Sequence, residues 1–482
     1  MAPGRYPARP AGQAGGRESK AGGAFRLRGE AQVSIGRTEL FDAPRSFQRR
    51  ANHITGGIPI SGAPAQTSGP LPLVRVHFWF PFMHIALLIH ALTVGGAQSR
   101  TLALANGLAA RGHRIDLVVA AQDAACEDRL DPRVNFVPLG ARTSETVGSG
   151  LRRIADLAGV IPALARYLDR AGPDVLVGMA NHVAPVAALG HALMRRPRAT
   201  ALVLRASNHI TRTASARGNL LRRLHLRPFW SRADQIIAVS RSVADSLWTG
   251  LGIPPARISV LPSPILPDDP AACAAAPPEH DWLRAPEPGV PTIVAIGRFV
   301  PQKGFDLLLD AFDRLRRQRP CRLLLLGDGP LRPQLEARVE RLGLADVVRL
   351  PGVVANPYAA LGRAALFVLP SRWEGLPATL VEALACGCPV VAADCPGGVR
   401  EALQDGRLGR LVPPEDAGAL AGAMLHALED RPDPRLLQEA VAPFRTGAAV
   451  RAYESWFESR FLAGPSRGAL VPAPLGAESL GG

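Results

Sequence analysis

Glu374 and Glu382 stand eight residues apart, in Ser371-Arg-Trp-Glu374-Gly-Leu-Pro followed by Leu380-Val-Glu382-Ala. The first falls in a loop after an apolar run and the second inside the helix that follows. Carboxylates accept hydrogen bonds from vicinal hydroxyls, which sugars and riboses both offer. Glu374-Gly375 also lies near a helix start, where free backbone N–H groups favour an anion. Upstream, Gly297-Arg298 closes another apolar run, and Lys303-Gly304 comes five residues later. A guanidinium that forks across two oxygens, with an ammonium beside it, suits a diphosphate. A pair of solvated loop cations is the plainer alternative. Gly327-Asp-Gly-Pro330 again ends an apolar run and opens a helix. There Asp328 can cap the helix, or the glycines can admit a ligand. Thr93-Val-Gly-Gly-Ala-Gln98 makes a similar strand-to-helix turn at Gly95 and Gly96. It lacks the G-x-G-x-x-G pattern of a nicotinamide site.

The elements that position these residues alternate. From residue 83 the pattern predicts strands at Ile85–Ile89, Ile115–Ala120, 174–177, 200–205 and 233–240, with helices at 97–111, 151–171 and 182–194 between them. A stretch rich in Pro, Asp and Ala over 266–290 interrupts the pattern. A second alternation follows. Its strands are Thr292–Ile296, Arg322–Leu326, 347–350, Leu366–Leu369 and 389–393, and its helices are 304–317, 330–342, 357–364 and 377–385. Strand-helix alternation of this kind specifies parallel sheets covered on both faces. The fold class is therefore α/β, with two Rossmann-like, doubly wound halves. The expected organisation is an N-terminal extension over 1–82, disordered or lying upstream of a start at Met83, and a first half over 83–266. A linker at 267–290 precedes a second half over 291–440. A closing helix over 441–462 and a flexible tail over 463–482 complete the chain. The apolar stretch 71–94 approaches the length of a membrane span. It is broken by Arg75, His77, Pro81, His84 and His90 and reads as a buried first strand with an irregular lead-in.

Composition agrees with a globular α/β chain. Of 482 residues, 47% are apolar and 20% charged, while aromatics at 5% leave Leu, Val, Ile and Ala to build the core. The net charge is +15, and residues 1–82 alone carry eleven Arg and Lys against four acids. Such a balance suits an anionic substrate or an anionic membrane. Neither a base-reading motif nor an aromatic platform is evident, so nucleic acid is disfavoured. Six cysteines in a chain of this length do not form a disulfide framework. The spacing of Cys386, Cys388 and Cys395 lacks the paired pattern of a zinc site and suits small buried side chains.

Taken together, the glycine-glycine turn, Gly297-Arg298 with Lys303, and Glu374-x7-Glu382 resemble glycosyltransferase family 4, the retaining group with a GT-B fold. The resemblance covers residues 83–462. The Gly95-Gly96-Ala97-Gln98 turn and Asp394-Cys-Pro-Gly-Gly398, with Arg400-Glu401 after it, are similar to the bacterial branch that builds lipopolysaccharide core and surface polysaccharides. The resemblance implies a role for each residue. Arg298 and Lys303 would hold the donor diphosphate and stabilise it as it leaves. Glu382 would hold the nucleotide ribose. Glu374 would hold hydroxyls of the donor sugar, helped by the backbone near Gly375 and Leu376. Gly95 and Gly96 would sit under the diphosphate from the first half, with Gly297 and Gly327 beside it. Many relatives also place a His from the first half near the reacting centre; here Asn208 and His209 are both candidates. The active site would lie in the cleft between the halves, and the final helix would cross back onto the first half.

The implied activity is retaining transfer, without a metal or other cofactor, of a hexose-type sugar from a nucleoside diphosphate, UDP foremost. The acceptor would be a lipid-linked or polysaccharide glycan in cell-envelope synthesis. Its place would be the cytoplasm, peripheral on the inner face of the membrane, with Arg152, Arg153, Arg195, Arg196, Arg198, Arg222 and Arg223 available to anionic lipid. The alternatives are a GT-B sugar-nucleotide epimerase, a glycogen-type synthase, or a silent scaffold that keeps the nucleotide site. Sugar, base and acceptor are set by loops that the motifs do not name.

Overall fold

Parallel strands buried on both faces must be apolar along their whole length, and the strands here have that character. In the computed structural model, β1 (His84–Ile89), β4 (Val175–Gly178), β9 (Arg322–Leu326) and β11 (Leu366–Leu369) are sealed from solvent apart from occasional first residues. The structure describes residues 82–92, 96–121, 127–141, 150–210 and 216–462, all within one compact unit of the chain. The expectations for 1–81, for Gly95 and for the tail after 462 lie outside the described residues, as do those for the side chains of Arg152, Arg153 and Arg222.

The first half contains β1, α1 (Gly96–Ala110), β2 (Arg114–Ala121), β3 (Val134–Ala141), α2 (Gly150–Ala171), β4, α3 (Ala184–Ala192), β5 (Ala201–Ala206), α4 (Ala216–Trp230), β6 (Gln235–Ala238), α5 (Arg241–Leu251) and β7 (Ile258–Val260). Its sheet has the order β3-β2-β1-β4-β5-β6-β7, and every pairing is parallel. Two short helices follow, α6 (Pro270–Ala275) and α7 (Asp281–Arg284), where an unstructured linker is expected. Asp269 starts the first by accepting from the Ala272 N–H at 3.0 Å.

The second half contains β8 (Thr292–Ile296), α8 (Phe305–Arg316), β9, α9 (Arg332–Arg341), β10 (Val348–Gly352), α10 (Pro357–Leu361), β11, α11 (Ala378–Ala385), β12 (Val390–Ala393), α12 (Val399–Ala402), β13 (Arg410–Val412), α13 (Ala417–Glu429) and α14 (Pro434–Ala440). Its sheet runs β10-β9-β8-β11-β12-β13, again parallel throughout.

In both sheets the chain winds outward from a central strand and then restarts on that strand's other side. The restart falls between β1 and β4 in the first half and between β8 and β11 in the second. At such a switch point the two neighbouring loops leave in opposite directions and open a crevice at the carboxyl ends of the strands. The topology therefore sets a crevice in each half.

The last helix, α15 (Thr446–Phe457), packs on the first half. Val450, Tyr453, Trp456 and Phe457 are buried in one core with Ile85, Leu87, Leu104, Leu108 and Leu117. It begins at Thr446, five residues after the expected start of the closing helix at 441. The Trp456 indole N–H donates to Ser259 Oγ at 2.9 Å, and Glu454 binds Arg111 and His113. The chain thus crosses between the halves twice, and the crossings touch. The N–H groups of Ile265 and Leu266 both donate to the Phe444 carbonyl, and Thr446 N–H returns a bond to the Leu266 carbonyl at 2.8 Å.

Phe457 is fully enclosed, so Phe457→Ala leaves a cavity under the returning helix. Such truncations cost about 3–5 kcal/mol. The expected outcome is a lowered thermal midpoint by calorimetry, with early proteolysis near residue 445.

Candidate active site

The crevices at the two switch points carry the residues with chemistry. Gly297 and Arg298 leave β8, and Ser371 to Glu374 leave β11. Glu382 sits on α11 behind them, and Gly96 opens α1 after β1. Apart from Glu382, the described candidates therefore lie in the loops and turns that follow a strand's carboxyl end.

Glu374 is the most tightly held. It is 5% exposed, and its Oε1 accepts from Lys303 Nζ at 2.6 Å and from the Ser371 hydroxyl at 2.8 Å. Its backbone N–H donates to the Pro396 carbonyl at 2.9 Å. The loop is stiffened by Gln302, whose amide donates to the Trp373 carbonyl at 2.8 Å, and by Arg372, which forks onto Asp306 and Glu415. Arg298, in contrast, is exposed and makes no ion pair or side-chain hydrogen bond with any described residue. One cation is thus locked to a carboxylate while the other is free to meet an anion.

Glu382 is half-buried, and burial pushes its carboxyl up to about 7, with Arg100 and then Lys303 pulling it back. Among the described residues it forms no salt bridge. Gly297 and Gly327 meet where β8 and β9 end. Gly327 adopts φ +135°, and a Cβ there would enter the Gly297 carbonyl, so the position tolerates only glycine. Asp328 does not cap α9, whose first turn is entered through Leu331. It accepts instead from the Gly329 N–H at 2.8 Å and from Arg332 Nε at 2.9 Å.

The halves touch at Gly375. A Cβ on this residue would enter the Ser207 carbonyl oxygen, and Asn208 Cα lies alongside. The Gly375 carbonyl accepts from Gly398 N–H at 2.7 Å and from the Ser240 hydroxyl of the first half at 3.4 Å. Glu401 completes the contact: its carboxylate accepts from the first N–H of α5, at Arg241, at 2.6 Å. Ser207, Asn208 and His209 follow β5, so the strand-end loop that carries both first-half candidates is the loop touching Gly375. Leu376, beside Gly375, is buried.

Several residues at the cleft were not singled out from the sequence. His90 and His182 leave the switch-point strands β1 and β4, with their rings edge to face at 5.6 Å. Arg205, at the end of β5, is buried without a carboxylate partner. Its Nε donates to Tyr453 Oη at 3.0 Å and its Nη2 to Ser263 Oγ at 2.7 Å. Arg100 stands one helical turn after Gly96, a spacing that folds a side chain back over the turn. That spacing is visible in the sequence; its significance depends on which charges arrive from the other half.

Two parallel α/β sheets facing across a strand-end cleft, closed by a helix that returns to the first, define a GT-B architecture. Solved structures bear this out. HepE of Anabaena in complex with UDP and glucose superposes with a TM-score of 0.62 at 19% identity, covering 78% of this chain and all of that one. A lipopolysaccharide outer core galactosyltransferase, WaaB, gives 0.59 at 17% identity with the same coverage. Residues 94–269 match the family model "Glycosyltransferase Family 4", and residues 290–430 match "Glycosyl transferases group 1". The chain thus carries a family 4 glycosyltransferase domain followed by a group 1 glycosyltransferase domain. Among curated relatives, alpha-D-kanosaminyltransferase of Streptomyces kanamyceticus is 33% identical over 156 residues, 32% of this chain and 40% of the relative. The N-acetylgalactosamine-N,N'-diacetylbacillosaminyl-diphospho-undecaprenol 4-alpha-N-acetylgalactosaminyltransferase of Campylobacter jejuni is 34% identical over 138 residues, 29% of this chain and 37% of the relative. The aligned stretch therefore spans about two fifths of these relatives' own length.

A carboxyl raised to about 7 by burial gives a pH signature. Below 4.5 Glu382 is protonated folded or unfolded, so its burial costs nothing. The cost grows as pH rises from 4.5 through 7, because only the folded state resists ionisation. Glu382→Gln should therefore raise the thermal midpoint at pH 8 and leave it unchanged near pH 4.5, as a pH series of melting curves would show.

Proposed function

We propose that this chain transfers a hexose-type sugar from a nucleoside diphosphate, UDP foremost, to a glycan or glycolipid acceptor, with retention at the anomeric carbon. The observation that carries the reading is the convergence of Glu374, Glu382, Lys303 and the unpartnered Arg298 at the strand-end crevice of the second half. This crevice faces the Asn208-His209 loop of the first half. The names of the relatives support the sugar chemistry, and HepE was solved with UDP and glucose.

In this reading the ribose hydroxyls donate to Glu382 and the sugar hydroxyls to Glu374, with the diphosphate between them. Arg298 and Lys303 offset its charge, and the glycine backbones at Gly297, Gly327 and Gly96 let it approach. The bond from the anomeric carbon to the diphosphate oxygen breaks, and its electron pair leaves with the diphosphate. The acceptor hydroxyl forms the new bond on the same face and gives its proton to the departing oxygen. The work of the protein is to position both partners and stabilise the developing charge. No metal enters the proposed reaction: two cations and helix N-termini serve the leaving group. Either first-half candidate, Asn208 or His209, would face the sugar.

Arg298→Ala should lower kcat by roughly 10²–10³, the scale for losing one preorganised charge-stabilising donor. A donor-hydrolysis or transfer assay with UDP-, GDP- and ADP-sugars measures it; unchanged turnover would remove Arg298 from the site.

The acceptor reading includes an anionic membrane surface at the cytoplasmic face. Among the described residues no helix is long and apolar enough to cross a membrane. The first half nevertheless exposes Leu193, just past the end of α3, and Leu220 and Leu224 on α4, with exposed Arg195, Arg196, Arg198, Arg223 and Arg227 close to them in sequence. Basic and apolar side chains mixed in this way suit an anionic bilayer. Co-sedimentation with phosphatidylglycerol vesicles should weaken with salt and with Leu224→Glu; binding indifferent to both contradicts the proposal.

A further inference from the structure

Arg100 is the one cation of the first half that the charges of the candidate site identify. Its guanidinium lies back over the turn that starts α1, with Nη2 at 3.5 Å from where a Gly96 Cβ would stand. Its Nε is sealed from solvent and has no hydrogen-bond partner. Among the described residues the side chain has no carboxylate within ion-pair distance. The charges that most stabilise it lie across the cleft, on Glu382 and then Glu374. Its nearest electrostatic opponent is Arg205, which is buried and bonded to neutral oxygens alone. The first turn of α1 has no acidic side chain, so the positive end of the helix meets no acid of its own.

A half-buried guanidinium with an orphan Nε, a second arginine acting on it and a helix start without an acid in its first turn leave positive charge in excess. Burial and Arg205 together draw the Arg100 pKa down to about 10, which still leaves it charged near neutrality. An unpaired charge in such a place is costly unless an anion arrives. Rearranging Glu382 or Glu374 onto it would take those carboxylates from the hydroxyls they are read as holding. A donor that spans from Glu382 at its ribose to Glu374 at its sugar must lay its diphosphate between the two, and both carboxylates act on Arg100.

We infer that Arg100 binds the diphosphate of the nucleotide sugar from the first half, opposite Arg298 and Lys303 of the second. The inference rests on the donor reading above and extends it. The donor's charge then ties the halves together, because its two faces are neutralised by different halves of the chain. The Nη–H groups of Arg100 donate to phosphate oxygens beside the α1 N-terminus. Arg205 does not touch the ligand; bonded to Tyr453 and Ser263, it holds the local potential positive.

The test uses the full chain and calorimetric titration with UDP and GDP, against uridine and guanosine. In the unaltered chain the favoured diphosphate should bind far more tightly than its nucleoside. Arg100→Met, which keeps the length and removes the charge, should weaken the diphosphate roughly 10- to 100-fold and leave the nucleoside unchanged, as expected for losing a charge-assisted bond. Arg100→Lys should recover part of the loss. Equal diphosphate affinity in the unaltered chain and Arg100→Met overturns the inference while leaving the donor reading intact. No diphosphate binding by the unaltered chain, with Arg298→Ala equally silent, overturns the donor reading and this inference with it. Should Arg100→Met fail to fold, the unaltered chain decides the matter. Phenylglyoxal modification of Arg100, followed by peptide mass, should slow with the diphosphate and not with the nucleoside; equal rates overturn the inference.

Discussion

A backbone contact at Gly375 sets the geometry of the cleft. Any side chain on that residue would occupy the position of the Ser207 carbonyl, so the loop after β11 and the loop after β5 approach as closely as two chains can. From that contact the rest follows. The Gly375 carbonyl is shared by Gly398 and Ser240, Glu401 reaches the start of α5, and Glu374 is carried one residue away into a nearly dry niche. A carboxylate at that depth needs a cation, and Lys303 supplies it at 2.6 Å. The desolvated pair gains from low dielectric what it loses in hydration only because Ser371 adds a second donor.

The division of labour among the cations follows from burial. Lys303 is committed to a protein carboxylate, so its charge is already spoken for, and its contribution to an incoming anion is that of a fixed positive neighbour. Arg298 faces solvent and costs little to keep unpaired. Arg100 is half-buried, with a sealed and unpartnered Nε, and is costlier to leave unpaired than an exposed cation. The three cations thus sit in different electrostatic states, set by how far each lies from water and by what it pairs with.

Much of this was legible in the sequence because parallel sheets write themselves as short, wholly apolar runs. β1, β8, β9 and β11 each read as such a run, and the chemical residues follow directly after them. The strands that escaped reading have a different composition. β3 contains Asn135, Pro138 and Gly140 and lies at a sheet edge; β7 and β13 have three residues each, at the edges of their sheets. Edge strands bury less, so their sequences carry less signal. Helix α4 is rich in arginine and contains Pro228, which hides its period. Glu374 and Glu382 were identifiable because spacing along one chain fixes their relation. Arg100 and Arg205 were not, and Glu401 was visible only as part of a motif, because each acquires its meaning from a partner more than a hundred residues away. No local window can report that Glu401 meets Arg241 or that Tyr453 meets Arg205.

The two crossings between the halves are bonded to one another through Phe444, Ile265, Leu266 and Thr446. A single tether would act as a swivel, letting one body spin as well as tilt against the other. Two tethers side by side act as a door hinge. They remove the twisting freedom and leave one axis, roughly along the line joining the strands, about which the jaws swing. Any such swing would return Gly375 to the same Ser207 carbonyl in the same register, without a search through orientations. The closing helix is in this sense the second hinge pin, and its packing against the first sheet is what keeps that pin seated.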